Sequence, residues 1–156
     1  MSNSRLMKMK TQYKKLEIGD LGYLMELIKV YEKVFEMEDF TLPAAQYLQS
    51  LLEKETVFFY VAIFDNKVVG GLTAHILPST YFPSSEVYIY DLAVETEFQR
   101  KGIGRQLINS LKEYCASLRL KEVFVQADLE DRHAIDFYQA TGGIAESVVH
   151  FSYELK

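Results

Sequence analysis

Glu86-Val87-Tyr88-Ile89-Tyr90-Asp91-Leu92-Ala93-Val94 leads through Glu95-Thr96-Glu97-Phe98 to Gln99-Arg100-Lys101-Gly102-Ile103-Gly104, and then to a run from Arg105 to Leu118. In the first piece Val87, Ile89 and Ala93 alternate with Tyr88, Tyr90 and Leu92, with no Gly or Pro inside, which predicts a strand. In the last, Ile103, Leu107, Ile108, Leu111, Cys115 and Leu118 recur at helical spacing. Between them lies a short basic turn with two glycines. A helix N-terminus leaves its first N–H groups without intrahelical partners and carries partial positive charge. With Gly102 and Gly104 removing Cβ atoms from the approach, a strand–turn–helix of this kind predicts a phosphate site. A dinucleotide fold would need the turn beside the first strand of a β-α-β repeat, with an acidic residue ending the next strand. A nucleoside-triphosphate loop would need G-K-[ST]. Neither pattern is present.

Working outward, Gln12 to Ile18 reads as a first strand, after a polar, basic lead-in over residues 1–11. Asp20 is placed to cap a helix from Leu21 to Phe35, and Thr41 to cap a second through Leu52, with Pro43 in its first turn. Val57 to Phe64 is an aromatic and β-branched run typical of a buried strand. Asp65-Asn66 turns the chain into a strand from Lys67 to Leu77, where Gly70-Gly71 signals a bulge or a close backbone approach. Pro78 to Ser85 is a loop. After the central strand and helix come a strand from Glu122 to Ala127, a helix capped by Asp131 and ended by Gly142-Gly143, and strands at Ile144–Ser147 and Val149–Leu155. The order β-α-α-β-β-β-α-β-α-β-β predicts an α/β fold with a mixed central sheet of about seven strands and helices on both faces. Residues 12–156 read as one domain, with no repeat or linker to divide them.

The 156 residues suit a single core. No apolar run is long enough to span a bilayer, and the start lacks a secretory apolar region, so the expectation is a cytoplasmic protein without a membrane partner. The lone cysteine, Cys115, excludes an intrachain disulfide and lies on the apolar stripe of its helix, as a core residue would. His75, His133 and His150 show no metal-ligand spacing among themselves or with Cys115, so no metal is expected. Lys and Arg number 17 against 22 Asp and Glu, a net charge of −5. That argues against nucleic acid and favours a cationic ligand.

The Q-x-x-G-x-G turn resembles the pyrophosphate-binding motif of the GNAT superfamily of acetyl-CoA-dependent N-acetyltransferases. Asp91-Leu92-Ala93-Val94 resembles that family's central strand, and Ala134-Ile135-Asp136-Phe137-Tyr138 followed by Gly142-Gly143 resembles its later A-x-x-F-Y…G helix. Ser85 to Val94, Leu107-Ile108-Asn109, Val125-Gln126-Ala127-Asp128 and His150-Phe151 are similar to aminoglycoside 3-N-acetyltransferases of type I, over roughly residues 30–154. The resemblance implies that Gln99, Arg100, Lys101, Gly102, Ile103, Gly104 and Arg105 hold the pyrophosphate of acetyl-CoA. It also implies that the backbone at Leu92, Ala93 and Val94 pairs with the pantetheine arm, where the central strand and the next one splay apart. Tyr138 would protonate the departing thiolate; the alternative is that it only packs on the core beside Phe137.

An acceptor amine, with a pKa of about 10, must lose a proton before it attacks. Asp91 is a carboxylate in a strand that otherwise looks buried, so it is paired, binds a cation, or serves as the base. Glu86 and Asp128 are alternative bases. Strict alternation would put Tyr90 and Asp91 on opposite faces, unless a bulge intervenes. Glu86, Tyr90, Asp91, Asp128 and Asp131, with Glu130, would suit a small polycationic acceptor: an aminoglycoside acetylated at its 3-amino group, or a polyamine. A non-catalytic acyl-CoA sensor is the reading of another class. The tyrosine-rich strands could also pair across a homodimer interface.

Overall fold

A computed structural model describes residues 10–156. Most of the expected lead-in over 1–11 therefore lies outside the described residues. The chain divides at Gln126–Ala127 into two compact units.

In the first unit five strands form one sheet: β1 (Gln12–Lys15), β2 (Val57–Phe64), β3 (Lys67–Pro78), β4 (Ser85–Val94) and β5 (Glu122–Val125), in spatial order β1-β2-β3-β4-β5. The first four are antiparallel neighbours, and β5 runs parallel to β4, so the sheet is mixed. Three helices accompany it: α1 (Leu21–Val34), α2 (Ala45–Leu52) and α3 (Ile103–Ser117).

The alternation within β2 decides which helices cover which face. Phe59, Val61 and Ile63 join a core with Leu24, Leu27, Val30 and Tyr31 of α1 and Leu48 of α2. Phe58 and Tyr60 point the other way, and both rings meet Tyr114 of α3 edge-on, at 5.5 and 6.4 Å. Helices thus cover both faces, as the sequence predicts. On α3 the buried residues are Ile103, Leu107, Ile108, Leu111 and Cys115, so the cysteine is a core residue.

Asp65 and Asn66 have φ of 51° and 60° and join β2 to β3. This left-handed pair suits the twist of a hairpin, and Asn and Asp tolerate it. Both readings of Gly70-Gly71 hold. The β2–β3 register shifts between Ala62 and Ile63. A Cβ on Gly71 would strike the Tyr60 carbonyl oxygen and lie 2.6 Å from Leu27 Cδ1.

Several boundaries differ from expectation: the helix after β1 ends at Val34, β3 runs on to Pro78 and β5 stops at Val125, and the start of the chain departs further. β1 stops at Lys15 because the Glu17 N–H turns to the Asp20 carboxylate, at 2.8 Å. That carboxylate also pairs with Lys14 at 3.1 Å, so Asp20 occupies the N-cap position of α1 without bonding into the helix. α2 starts at Ala45, with Ala44 and not Thr41 at its cap; proline biases the preceding Leu42 away from helical backbone, which delays the start.

The second unit holds α4 (Arg132–Ala140). Asp131 caps it as expected, its Oδ1 accepting the Ala134 N–H at 3.0 Å. Gly142, at φ 98°, and Gly143, whose N–H donates to the Tyr138 carbonyl at 2.9 Å, end it. The stretches Ile144–Ser147 and Val149–Leu155, expected as strands, form neither strand nor helix. A strand exists only against a ladder partner, and this segment has none among the described residues. Among the described residues the sheet therefore has five strands, not about seven. No residue from Ala127 onward is buried.

Candidate active site

The open edge of β4 defines the site. β3 pairs with β4 along its whole length, from Pro78↔Ser85 to Gly70↔Val94. β5 pairs with it only from Glu86↔Glu122 to Ile89↔Val125. Past Ile89 the two parallel strands part. The β5-side edge of Tyr90, Asp91, Leu92, Ala93 and Val94 is left without a ladder partner among the described residues, which is the splay that the sequence resemblance implies. An unpaired strand edge presents N–H and C=O groups at fixed spacing, ready for an extended, amide-containing ligand.

The same point carries a bulge. Thr73 pairs with Asp91, but the next residue, Ala74, pairs with Ile89, so Tyr90 is extra. Thr73 and Ala74 lie on opposite faces of β3. Asp91 and Ile89 must therefore lie on opposite faces of β4, although they are two residues apart. The register places Asp91 with Glu86 and Tyr88 on the α1 face, and the bulged Tyr90 is free to join them. The restriction set by strict alternation is relaxed as a bulge would relax it.

Asp91 is half-buried. Burial raises its pKa above the usual carboxylate value, and a hydrogen bond from the Thr73 hydroxyl pulls it partly back. Among the described residues Thr73 is the one buried polar residue of the core, and its Oγ1 lies 2.9 Å from the Tyr31 hydroxyl. With the Thr73 proton directed to the carboxylate, the phenol supplies the proton of the second bond. The run Tyr31–Thr73–Asp91 fixes the carboxylate and leaves it more basic than a free aspartate.

Aromatic rings extend this face. Tyr90, 64% exposed, meets His75 at 5.5 Å and Tyr88 at 5.8 Å. Tyr88 stacks on Phe124 at 5.0 Å, and its hydroxyl donates to Gln126 Oε1 at 3.1 Å. Burial raises the Tyr88 pKa, and the acidic groups of Tyr90 and Asp91 add to that; burial lowers the His75 pKa. Rings beside carboxylates form a surface suited to a cation carrying apolar ring faces. The sequence reading missed Thr73, Tyr31, His75, Tyr88, Phe124 and Gln126. For Thr73 a signal existed: one hydroxyl inside an apolar strand. For the others only the register brings them to Asp91.

The turn between β4 and α3 is held from below. Gln99 Nε2 donates to the Val94 carbonyl at 2.9 Å, and Lys101 lies over the Phe98 ring at 5.5 Å. Arg100 and Gly102 both take left-handed backbone, at φ 60° and 82°. Alternating left-handed residues turn successive N–H groups toward a common concavity, which favours an anion. Gly102 is the N-cap of α3, no side chain caps that end, and its first turn holds no acidic residue. Ile103 is buried and anchors the helix start, while Arg100, Lys101 and Arg105 are exposed. The backbone of this turn therefore has the geometry that favours an anion.

In the second unit Tyr138 is half-buried and packs edge-on against Phe137 at 5.1 Å. A Cβ on Gly143 would lie 2.9 Å from the Tyr138 carbonyl oxygen, which explains the glycine there. Asp128 is exposed, and its carbonyl accepts the Asp131 N–H at 2.9 Å. Asp131 commits one carboxylate oxygen to the α4 cap. Among the described residues no group of three or more His, Cys, Asp or Glu is arranged to hold a metal ion, and no helix is long and apolar enough to cross a membrane. A cavity of about 740 Å³ lies elsewhere, lined by Lys15, Glu17, Leu52, Phe58 and Tyr114, far along α3 from its N-terminus. It contains neither the open strand edge nor the uncapped helix start.

The sequence model of the Acetyltransferase (GNAT) family matches residues 23–143. The chain belongs to that family. Among solved GNAT structures, it is 43% identical to the aminoglycoside acetyltransferase meta-AAC0020 from an uncultured soil metagenomic sample, with a TM-score of 0.91 over 94% of this chain and 97% of that one. The same metagenomic protein has been crystallised with sisomicin. A second aminoglycoside acetyltransferase from uncultured soil, HMB0005, is 33% identical, with a TM-score of 0.89 over 95% of this chain and all of the other. A curated relative, an uncharacterized N-acetyltransferase of Methanocaldococcus jannaschii, is 28% identical over 107 residues, or 68% of this chain. The match spans about half, 47%, of that relative's own length.

Proposed function

We propose that this GNAT protein transfers the acetyl group of acetyl-CoA to a primary amine of an aminoglycoside, at the 3-amino group, by direct transfer in a ternary complex. The observation that carries the reading is the parting of β4 and β5 at Ile89, one residue before the bulge that presents Asp91. It leaves an open strand edge, of a kind suited to an amide-containing ligand, on the same five residues as a carboxylate of raised pKa. The identity of 43% to an aminoglycoside acetyltransferase supports the acceptor class.

The residues fit acetyl-CoA. The uncapped start of α3, with N–H groups from Arg100 to Arg105 and the charges of Arg100, Lys101 and Arg105, would take the pyrophosphate. The edge at Leu92, Ala93 and Val94 would pair with the pantetheine amides. An N–H near Leu92 or Ala93 would donate to the thioester oxygen as charge develops on it. Asp91, held by Thr73, accepts a proton from the acceptor ammonium, directly or through a water; Glu86, on the same face, orients a second ammonium. The freed amine forms the new C–N bond to the thioester carbon as the C–S bond breaks. The phenol of Tyr138 gives its proton to the leaving thiolate. Tyr90, with Tyr88 beside it, would pack against the sugar rings, and Asp128 with Asp131 would add negative charge for a polycation. No residue of this scheme requires a metal. Acetyl-CoA as donor suits a protein working in the cytoplasm.

Release of CoA thiol from acetyl-CoA, followed against gentamicin, sisomicin, kanamycin, spermidine and a mixed-sequence peptide, tests this. Turnover with gentamicin and a product acetylated at the 3-amino group is expected. Turnover with spermidine alone would keep the transfer chemistry and replace the acceptor. Tight acetyl-CoA binding with no accelerating amine would turn the reading to an acyl-CoA sensor.

A further inference from the structure

We propose that Tyr31 of α1 is a positioning residue for the carboxylate of Asp91, acting through the hydroxyl of Thr73. The inference deepens the active-site reading and rests on it only in taking Asp91 as the base. Tyr31 and Thr73 are both buried, and although they stand 42 positions apart in the chain their oxygens lie 2.9 Å from each other. A match of spacing between helix and strand builds that contact. Leu27 and Tyr31 are four residues apart on one side of α1, about 6 Å along its axis. Gly71 and Thr73 are two residues apart on one face of β3, about 6.6 Å. Leu27 sits on Gly71, where a Cβ would lie 2.6 Å from Leu27 Cδ1. The missing Cβ lets α1 settle close on the strand, and one step further along the Tyr31 phenol reaches Thr73. Phe35, another turn on, stacks on the Tyr31 ring at 5.6 Å, with 16° between the ring planes. That stacking leaves the phenol little freedom to swing away.

A threonine hydroxyl has one proton to give and lone pairs with which to accept. Thr73 gives its proton to Asp91, so Tyr31 is the donor of the 2.9 Å contact. This donation has two effects. It holds the Thr73 rotamer in which Oγ1 faces both partners. It also polarises the Thr73 O–H, which strengthens the bond to a charged carboxylate. Both effects favour the ionised form of Asp91 against the burial that disfavours it. A base must be ionised to take a proton, so the chain of hydroxyls keeps a half-buried aspartate ready at neutral pH. The other ionisable groups on this face are His75 of β3 and Glu86, Tyr88 and Tyr90 of β4, by the strand register. On α1, Glu26 accepts the Val68 N–H at 3.4 Å, and Lys33 pairs with Glu95 at 2.6 Å. Burial and the Thr73 bond are the two causes of the Asp91 shift, and the second is the one that Tyr31 can reach.

Carbon-13 NMR titration of the Asp91 carboxyl in the full chain tests this, with the resonance assigned by its loss in Asp91→Asn. Tyr31→Phe removes one hydroxyl and keeps the ring that stacks on Phe35. It should raise the Asp91 pKa by about 0.3–1 unit, the size of one neutral hydrogen bond, with acetyl-CoA affinity by calorimetry unchanged. Thr73→Val should raise it further. The double variant Y31F/T73V should match Thr73→Val alone, because Tyr31 then has no hydroxyl to act through. 3-Fluorotyrosine placed at position 31 is a stronger donor of nearly the same shape, and it should move the Asp91 pKa down. This arm decides the matter if Tyr31→Phe does not fold. An Asp91 pKa that stays at the wild-type value in folded Tyr31→Phe, or that does not fall with the fluorinated ring, would overturn the proposal and leave Tyr31 a packing residue. Shifts that add in the double variant would overturn it too. The acid limb of kcat/KM, measured with an amine that supports turnover, tests the base assignment separately. A limb that follows the NMR value in each variant supports both. An NMR pKa that moves while the limb stays supports the positioning and removes Asp91 as the base.

Discussion

Asp91 and the Gln99–Arg105 turn sit at one end of the same strand, yet they encode their chemistry in different ways. At Asp91 the information is in side chains: a half-buried carboxylate, the Thr73 hydroxyl and the Tyr31 phenol. At the turn it is in the backbone: two left-handed residues and a helix start without a cap. A side-chain site fails when one functional group is exchanged for another. A backbone site fails when φ can no longer be reached, and it tolerates the loss of most side chains around it. The two regions should therefore answer differently to substitution, one in turnover and the other in cofactor affinity.

The largest effect is expected at Asp91. Asp91→Asn should lower kcat by about 10²- to 10⁴-fold, the usual worth of a positioned base, with acetyl-CoA affinity by calorimetry unchanged. Its effect on stability runs the other way. The folded-state pKa of Asp91 is raised, so the folded chain holds that proton more tightly than the unfolded chain. Stability then falls as pH rises from the ordinary carboxylate value through the raised one. At neutral pH the charged form is the strained one, and Asp91→Asn should melt no lower than wild type. A Tm drop of several degrees would show that the carboxylate is structural.

The matching break in the turn is Gly102→Val. At φ 82° a β-branched residue costs about 1–2 kcal/mol. The helix start should shift, weakening acetyl-CoA binding about tenfold while kcat at saturation changes little. A loss confined to kcat would mean that the two regions are not separable.

Thr73→Val sharpens the side-chain half. It removes the hydrogen bond that lowers the Asp91 pKa, so the acid limb of kcat/KM should move to higher pH. A hydrogen bond to a charged group is worth about 1.5–3 kcal/mol, which sets an upper bound of roughly one to two pH units. A downward move would contradict the assigned direction of the bond. The smallest effect belongs to Lys101→Ala. Its exposed ammonium stands over Phe98, and the loss in acetyl-CoA affinity should be under about fivefold and shrink as salt is added.

The turn was legible because its signals are local. Glycine spacing, the strand before it and the apolar stripe after it lie within a few residues of one another, and left-handed backbone at Gly102 follows from the absence of a Cβ. The α4 cap at Asp131 and its glycine stop were legible for the same reason. The start of α2 was not, because Thr41 offered a cap where Pro43 held the preceding backbone out of the helix. Thr73, Tyr31 and Phe124 could not be placed at the site from the sequence, since each reaches it only through strand register.

By itself the sequence determined the mixed α/β plan with helices on both faces, the glycine turn that opens α3, the core role of Cys115 and the membership implied by its motifs. Each of these rests on periodicity or on contacts near in the chain, where a few residues suffice. Tertiary structure alone decided that Tyr90 is a bulge, which turns Asp91 onto the face of Glu86 and Tyr88, and that β5 leaves β4 after Ile89. Among the described residues the alternating pattern of 149–155 has no ladder. A strand's pattern states which face must be buried. The hydrogen bonds that make it a strand come from another segment, and nothing in the pattern says where that segment lies.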